Sequence, residues 1–160
     1  MVRKSLALWL LVMACQMAFA DVIVGRVIKI ADGDTLTLMD AANQQHRIRL
    51  SGIDAPESVQ AFGDRSKTAL SALAFNKEVQ ADCKKRDQYG RDVCKILVDG
   101  VDVNLEQVRS GMAWWYKQYA KEQSPEDQAA YEQAEFQAKI HRLGLWADKN
   151  PTPPWEWRRK

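Results

Sequence analysis

The chain has 160 residues, with 23 basic and 21 acidic side chains and a formal net charge of +2. That length suits one domain able to bury a real core without staples. Near-balanced charge excludes a protein that coats polyanions with a broadly basic surface, so a polyanionic partner would be held by local positive charge or by metal.

In chain order the first element is MVRKSLALWLLVMACQMAFA. Arg3 and Lys4 form a basic start, Leu6 to Met13 an apolar run, and Ala18-Phe19-Ala20 a small-x-small cleavage site before Asp21, which together read as a secretory signal peptide over residues 1–20. The apolar run falls short of the ~20 residues a membrane span needs. The alternative is lipidation at Cys15, since VMAC loosely resembles a lipoprotein box; the protein would then be membrane-tethered. Cleavage removes Arg3 and Lys4 but none of the 21 carboxylates, so the exported chain, secreted or periplasmic, has no net charge.

From Val22 to Leu50 the segments VIVGRVIKI, TLTLMD and HRIRL are β-branched or alternating. Asp32-Gly33 and Ala41-Ala42-Asn43 separate them, which predicts three consecutive antiparallel strands. SKTALSALAFN brings Ala69, Leu70, Leu73 and Ala74 onto one helical face. EVQADC and DVCKILVDG resume the strands, with Asp99-Gly100 as a closing turn. VNLEQVRSG places Leu105, Val108 and Met112 at helical spacing, with Gly111 at the stop. In SPEDQAAYEQAEFQAKIHRLG, Ser124 can cap a helix, Pro125 fits its first turn, Asp127 completes a capping-box-like pattern, and Gly144 ends it. The tail, residues 148–160, includes NPTPPWEWRRK and is too rich in proline to continue any helix. Trp155 reads as a packing residue, with Arg158 and Arg159 exposed. Short strands interleaved with helices predict an α+β domain, a small closed β-barrel decorated by helices over residues 21–147.

Cys83 and Cys94 remain after cleavage, an even pair in an exported chain. They flank a loop between two strands, and a disulfide there would contribute roughly 2 to 3 kcal/mol in the chain-entropy account. The bland alternative is two reduced, buried thiols.

The charged residues around the first turns are harder to explain as structure. Asp34 follows a tight Asp-Gly turn, Asp54 lies past a strand end in GIDAPE, and Pro56 stiffens that loop. Singly, each Asp is an ordinary turn former. Two carboxylates brought together repel unless a cation offsets them, and Ca²⁺ accepts the mixture of carboxylates, backbone carbonyl and water that such loops offer. Arg49 and Arg91 add guanidinium groups that can grip phosphate oxygens bidentately, and Glu57 adds a spare carboxylate. These are the parts for phosphodiester hydrolysis.

DGDT (Asp32 to Thr35), RLSGIDAPE (Arg49 to Glu57) and YGR (Tyr89 to Arg91), in this order and spacing, resemble staphylococcal nuclease and its secreted relatives, as do NLEQVRSGMAWWYKQY and LGLW. The resemblance runs from about Val22 to Trp146. It implies a five-stranded OB-fold barrel with three helices and a Ca²⁺-dependent, sugar-nonspecific endonuclease acting on DNA and RNA, preferentially single-stranded or unwound, as a monomer. By position it implies Asp34, Asp54 and the Ala55 carbonyl as Ca²⁺ ligands, Glu57 as general base, and Arg49 and Arg91 as transition-state stabilisers, with 3′-phosphate products. Tyr119 falls at one of the family's two substrate-facing tyrosine positions; Lys117 falls at the other, with Tyr116 adjacent. The rival readings are a non-catalytic OB-type nucleic-acid-binding module, expected to have lost some of these groups, and a barrel with a purely structural Ca²⁺, which leaves both arginines unexplained.

Overall fold

The computed structural model describes residues 21–159; the expected signal peptide, including Cys15, lies outside the described residues. Strands β1 (Asp21–Ile30), β2 (Thr35–Asp40) and β3 (Gln45–Leu50) form the antiparallel meander expected from their alternation, followed by the two-residue β4 (Ile53–Asp54). Strands β5 (Glu78–Arg86) and β6 (Asp92–Val98) form a hairpin beside β1, and the short β7 (Val101–Asp102) turns back on β6 through Asp99 and Gly100, both at positive φ. Parallel pairing of β3 with β6, from Ile48 opposite Asp92 to Leu50 opposite Cys94, closes the sheet into a five-stranded mixed barrel.

The barrel interior follows the period of two that a closed sheet imposes. Leu36 and Leu38, Ile48 and Leu50, Val79 and Ala81, and Ile96 and Val98 point inward and are buried. Cys83 and Cys94 are cross-strand partners of β5 and β6 with their sulfurs bonded, so that bridge ties the base of the hairpin carrying Arg91.

Helix α1 (Gly63–Ala74) buries Leu70 and Ala74 and begins before the predicted apolar face. Helix α2 (Val103–Arg109) is capped by Asp102 and stops before Gly111 at φ +69°, as its sequence indicated. Its buried face differs from the apolar one expected: Asn104 and Gln107 share it with Val103 and Val108. Asn104 accepts from Ile96 N–H at 3.1 Å and donates to Ser51 O and Cys94 O at 3.0 and 3.1 Å, binding the helix to the β3–β6 seam. Gln107 donates to Gly33 O at 2.7 Å and Ser66 O at 3.1 Å, holding the turn before Asp34 against α1.

The strand β8 (Trp114–Trp115) pairs with β4, placing Asp54 opposite Trp114. A 3-10 segment (Lys117–Glu122) leads into α3 (Pro125–Ile140), whose Ser124 cap accepts from Asp127 N–H at 3.1 Å. Helix α3 ends at Ile140, with Arg142 taking the left-handed conformation, rather than running to Gly144. Gly144 serves a different purpose: it lies against Gly111, where an added Cβ would meet Gly111 O at 2.1 Å, and the neighbouring Leu145 N–H donates to Gly111 O at 2.8 Å. The proline-rich tail forms one further turn, α4 (Pro154–Trp157), which begins on a proline because a first helical turn needs no N–H from it. No helix among the described residues is long and apolar enough to cross a membrane.

Candidate active site

One open cleft of about 730 Å³ lies on the barrel where the β3–β4 loop, the β5–β6 hairpin and the segment after β8 meet. Asp34, Arg49, Asp54, Ala55, Glu57, Arg91, Tyr116 and Tyr119 all line it. The two aspartates come from turns far apart in sequence, yet both face one guanidinium nitrogen. Arg49 Nη2 is 2.9 Å from Asp54 Oδ1 and 3.3 Å from Asp34 Oδ2. Its Nη1 donates to the carbonyls of Leu50 and Ile53 at 2.8 and 2.9 Å, so this arginine fixes the loop carrying Asp54 as well as facing the cleft.

Both carboxylates are deeply placed, with Asp34 6% and Asp54 1% exposed. Asp34 accepts from Ala55 N–H at 2.6 Å and from Thr35 Oγ1 at 3.1 Å. Burial pushes its carboxyl up to about 7 against the pull of Arg49, and the nearby Asp32 and Asp54 carboxylates add to the rise. Burial thus leaves the ionised form of Asp34 poorly stabilised even with Arg49 beside it. Glu57 is more open, its side chain 37% exposed.

Arg91 is aimed by its own loop. Asp87 Oδ2 accepts from Arg91 Nε at 2.7 Å, while Asp87 Oδ1 accepts from the backbone N–H groups of Tyr89 and Arg91, both at 2.9 Å. The other end of the guanidinium reaches Thr35 Oγ1 at 3.4 Å. Asp87 is a residue that sequence reasoning passed over. Its place at the start of an Asp-x-x-Gly turn, four residues before Arg91, was the available signal.

Among the aromatic candidates, Tyr116 and Tyr119 meet edge to face at 5.0 Å beside the cleft. Lys117 is not brought into it: its ammonium sits 3.6 Å from Glu135 and over the Trp115 ring. Trp115 packs in the core, and Trp114 packs on Trp146 and Trp155. Trp155 packs as expected, stacking on Tyr116 with ring planes 4° apart and centroids at 5.2 Å. Arg158 departs from the expectation of a merely solvated residue. Anchored by that packing, it reaches back to Asp54 Oδ2 at 2.8 Å and Glu57 Oε1 at 2.7 Å, although its side chain stays 44% exposed.

Two buried aspartates, two arginines facing one cleft and an accessible glutamate form an arrangement able to bind a phosphodiester and stabilise added negative charge on it. Comparisons with known proteins agree. Residues 47–148 match the family described as staphylococcal nuclease homologue. The chain is 44% identical over 135 residues to an uncharacterized endonuclease of Haemophilus influenzae, covering 84% of this chain and 72% of that protein. It is 42% identical over 144 residues to a micrococcal nuclease of Shigella flexneri, covering 84% and 80%. Identity to an uncharacterized endonuclease of Escherichia coli O157:H7 is 37% over 159 residues, covering 99% of each chain. With its closed barrel, its cleft and these relatives, the chain belongs to the staphylococcal nuclease family and is a phosphodiester-hydrolysing nuclease.

Proposed function

We propose that this nuclease is an exported, Ca²⁺-dependent, sugar-nonspecific endonuclease that cuts DNA and RNA to products with 3′-phosphate ends. The observation that supports it best is the convergence of Asp34 and Asp54 on one nitrogen of Arg49, with Glu57 and Arg91 on the same cleft.

The donor set fits a hard divalent cation. Its side-chain ligands are carboxylate oxygens, and the rise of the Asp34 carboxyl marks a place where added positive charge would be stabilising. Among the described residues no three His, Cys, Asp or Glu side chains gather into a metal cage, so backbone and water oxygens would complete the shell. Ca²⁺ tolerates such a mixture. Asp34, Asp54 and the Ala55 carbonyl would hold it, and when bound it would neutralise charge on the scissile phosphate.

The chain's own groups account for the rest of the reaction. Glu57 takes a proton from the attacking water, whose oxygen bonds to phosphorus as the bond to the 5′ oxygen breaks; that oxygen then takes a proton from solvent. The diester starts with one negative charge and gains a second, so Arg49 and Arg91 bind the transition state more strongly than the ground state. Base assistance by Glu57 contributes roughly 10²- to 10⁴-fold. Tyr116 and Tyr119 beside the cleft support stacking of bases from a single or unwound strand.

Export is supported by the pattern of residues 1–20, with lipidation at Cys15 as the alternative. The Cys83–Cys94 pairing suits an oxidising compartment. Intact mass before and after reduction and alkylation reads the bridge directly; thiols that label without reductant would refute it. For the activity, mature protein is incubated with denatured DNA in Ca²⁺ or in chelator. Cutting in Ca²⁺ alone, with fragments that a polymerase extends only after phosphatase treatment, is expected. Cutting undiminished by chelator would refute the metal dependence, and fragments extended without treatment would refute the 3′-phosphate.

A further inference from the structure

The tail beyond the family match, which ends at residue 148, returns to the cleft. It is fixed at several points: Gln60 Nε2 donates to Thr152 O at 2.6 Å, Pro154 is buried, and Trp155 lies flat on Tyr116 and edge-on to Trp114. These contacts deliver Arg158 at the end of α4. Its guanidinium forks across two carboxylates, with Nη2 on Asp54 Oδ2 at 2.8 Å and Nη1 on Glu57 Oε1 at 2.7 Å and Asp54 Oδ1 at 3.3 Å.

Two arginines therefore share Asp54, but they are held differently. Arg49 is locked by two backbone carbonyls and is 14% exposed at its side chain, whereas Arg158 has neither restraint and is 44% exposed. Any cation that takes Asp54 Oδ2 must displace the group already there. The one able to leave is Arg158, by rotation of its own side chain toward solvent or toward a phosphate in the cleft.

We propose that Arg158 is a further functional residue of the nuclease reaction: a tail-borne guanidinium that holds Asp54 and Glu57 in the resting enzyme and competes with the divalent cation for them. This rests on the reading of Asp34 and Asp54 as cation ligands. In the resting state Arg158 offsets the carboxylates and covers Glu57, the proposed base. Cation binding releases it, so the base is uncovered when the cation is in place. The coupling is electrostatic and local, of the size that changes an affinity by roughly fivefold or more.

The test is calorimetric titration of Ca²⁺ into substrate-free mature protein, comparing wild type with Arg158→Gln, Arg158→Lys and Trp155→Ala. Arg158→Gln should bind Ca²⁺ at least about fivefold more tightly. Arg158→Lys, which keeps the charge without the fork, should fall between. Trp155→Ala, which loosens the tail while keeping the arginine, should shift affinity in the same direction as Arg158→Gln. Circular dichroism melts confirm that each variant is folded. Equal or weaker Ca²⁺ binding by Arg158→Gln overturns the competition while leaving the cation site standing. Absence of Ca²⁺ binding in both wild type and Arg158→Gln overturns the cation site and the competition together.

Discussion

Replacing Asn104 with alanine tests whether the barrel's closing seam is held from outside the sheet. The side chain is fully buried and makes four hydrogen bonds, accepting from Ile96 N–H and donating to Ser51 O, Cys94 O and, at a longer 3.4 Å, Ser51 Oγ. The Cys94 carbonyl keeps a second partner, Ser51 N–H at 2.8 Å, so its loss is minor. The cost falls on the Ile96 N–H and the Ser51 carbonyl, each stripped of the Asn104 bond at about 1 to 3 kcal/mol. We expect Asn104→Ala to lose about 3 kcal/mol, a large share of the ~5 to 15 kcal/mol typical of a domain. Urea unfolding followed by tryptophan fluorescence measures it, with the midpoint falling and the slope unchanged. Asn104→Asp, which keeps the acceptor for Ile96 but loses both donors, should be no more stable than Asn104→Ala. A loss below about 1 kcal/mol in Asn104→Ala would show that strand pairing alone closes the barrel.

Arg49→Ala and Arg49→Lys should both abolish turnover in a nuclease assay. Only the alanine variant should also lose substantial stability, about 3 to 5 kcal/mol, because it leaves the buried Asp34 without its guanidinium partner while Asp54 keeps Arg158 alone; wild-type-like rates in the lysine variant would refute the need for a fork. Asp87→Asn should lower kcat about 10- to 100-fold with a smaller change in KM, since Arg91 loses the partner at its Nε; an unchanged kcat would mean Arg91 aims itself. The Asp34 carboxyl, raised from 3.8 to about 7, holds a proton in the folded chain that the unfolded chain has released, so its contribution in chelator falls as pH rises through that window. Melts of wild type should show that decline and Asp34→Asn should lack it; identical slopes would refute the assignment.

Much of the barrel was legible because its strands are long enough for a period of two to show, as in TLTLMD and HRIRL. The pairing of Ile53–Asp54 with Trp114–Trp115 was not, because two residues carry no period. Asn104 and Gln107 disguised the inner face of α2, since a helix that must satisfy seam carbonyls places polar groups where an apolar pattern is sought. The cleft residues were readable as motifs, but Lys117 was not separable from its tyrosine neighbours by spacing alone: after β8 the backbone turns it toward Glu135. Arg158 escaped because its role depends on Trp155 stacking on Tyr116, a contact between distant segments.

The meeting of Gly111 with Gly144 gives this enzyme a lever remote from its chemistry. Main chain lies against main chain there, and a Cβ on Gly111 would come within 2.3 Å of Leu143 O. Leu145 and Trp146 follow directly, and Trp146 supports Trp114, on which Trp155 leans. A single methyl group at this junction would pry two loops apart and carry the displacement along a row of indole rings to the mouth of the cleft, so alanine at either glycine should alter the nuclease without touching one atom that meets nucleic acid.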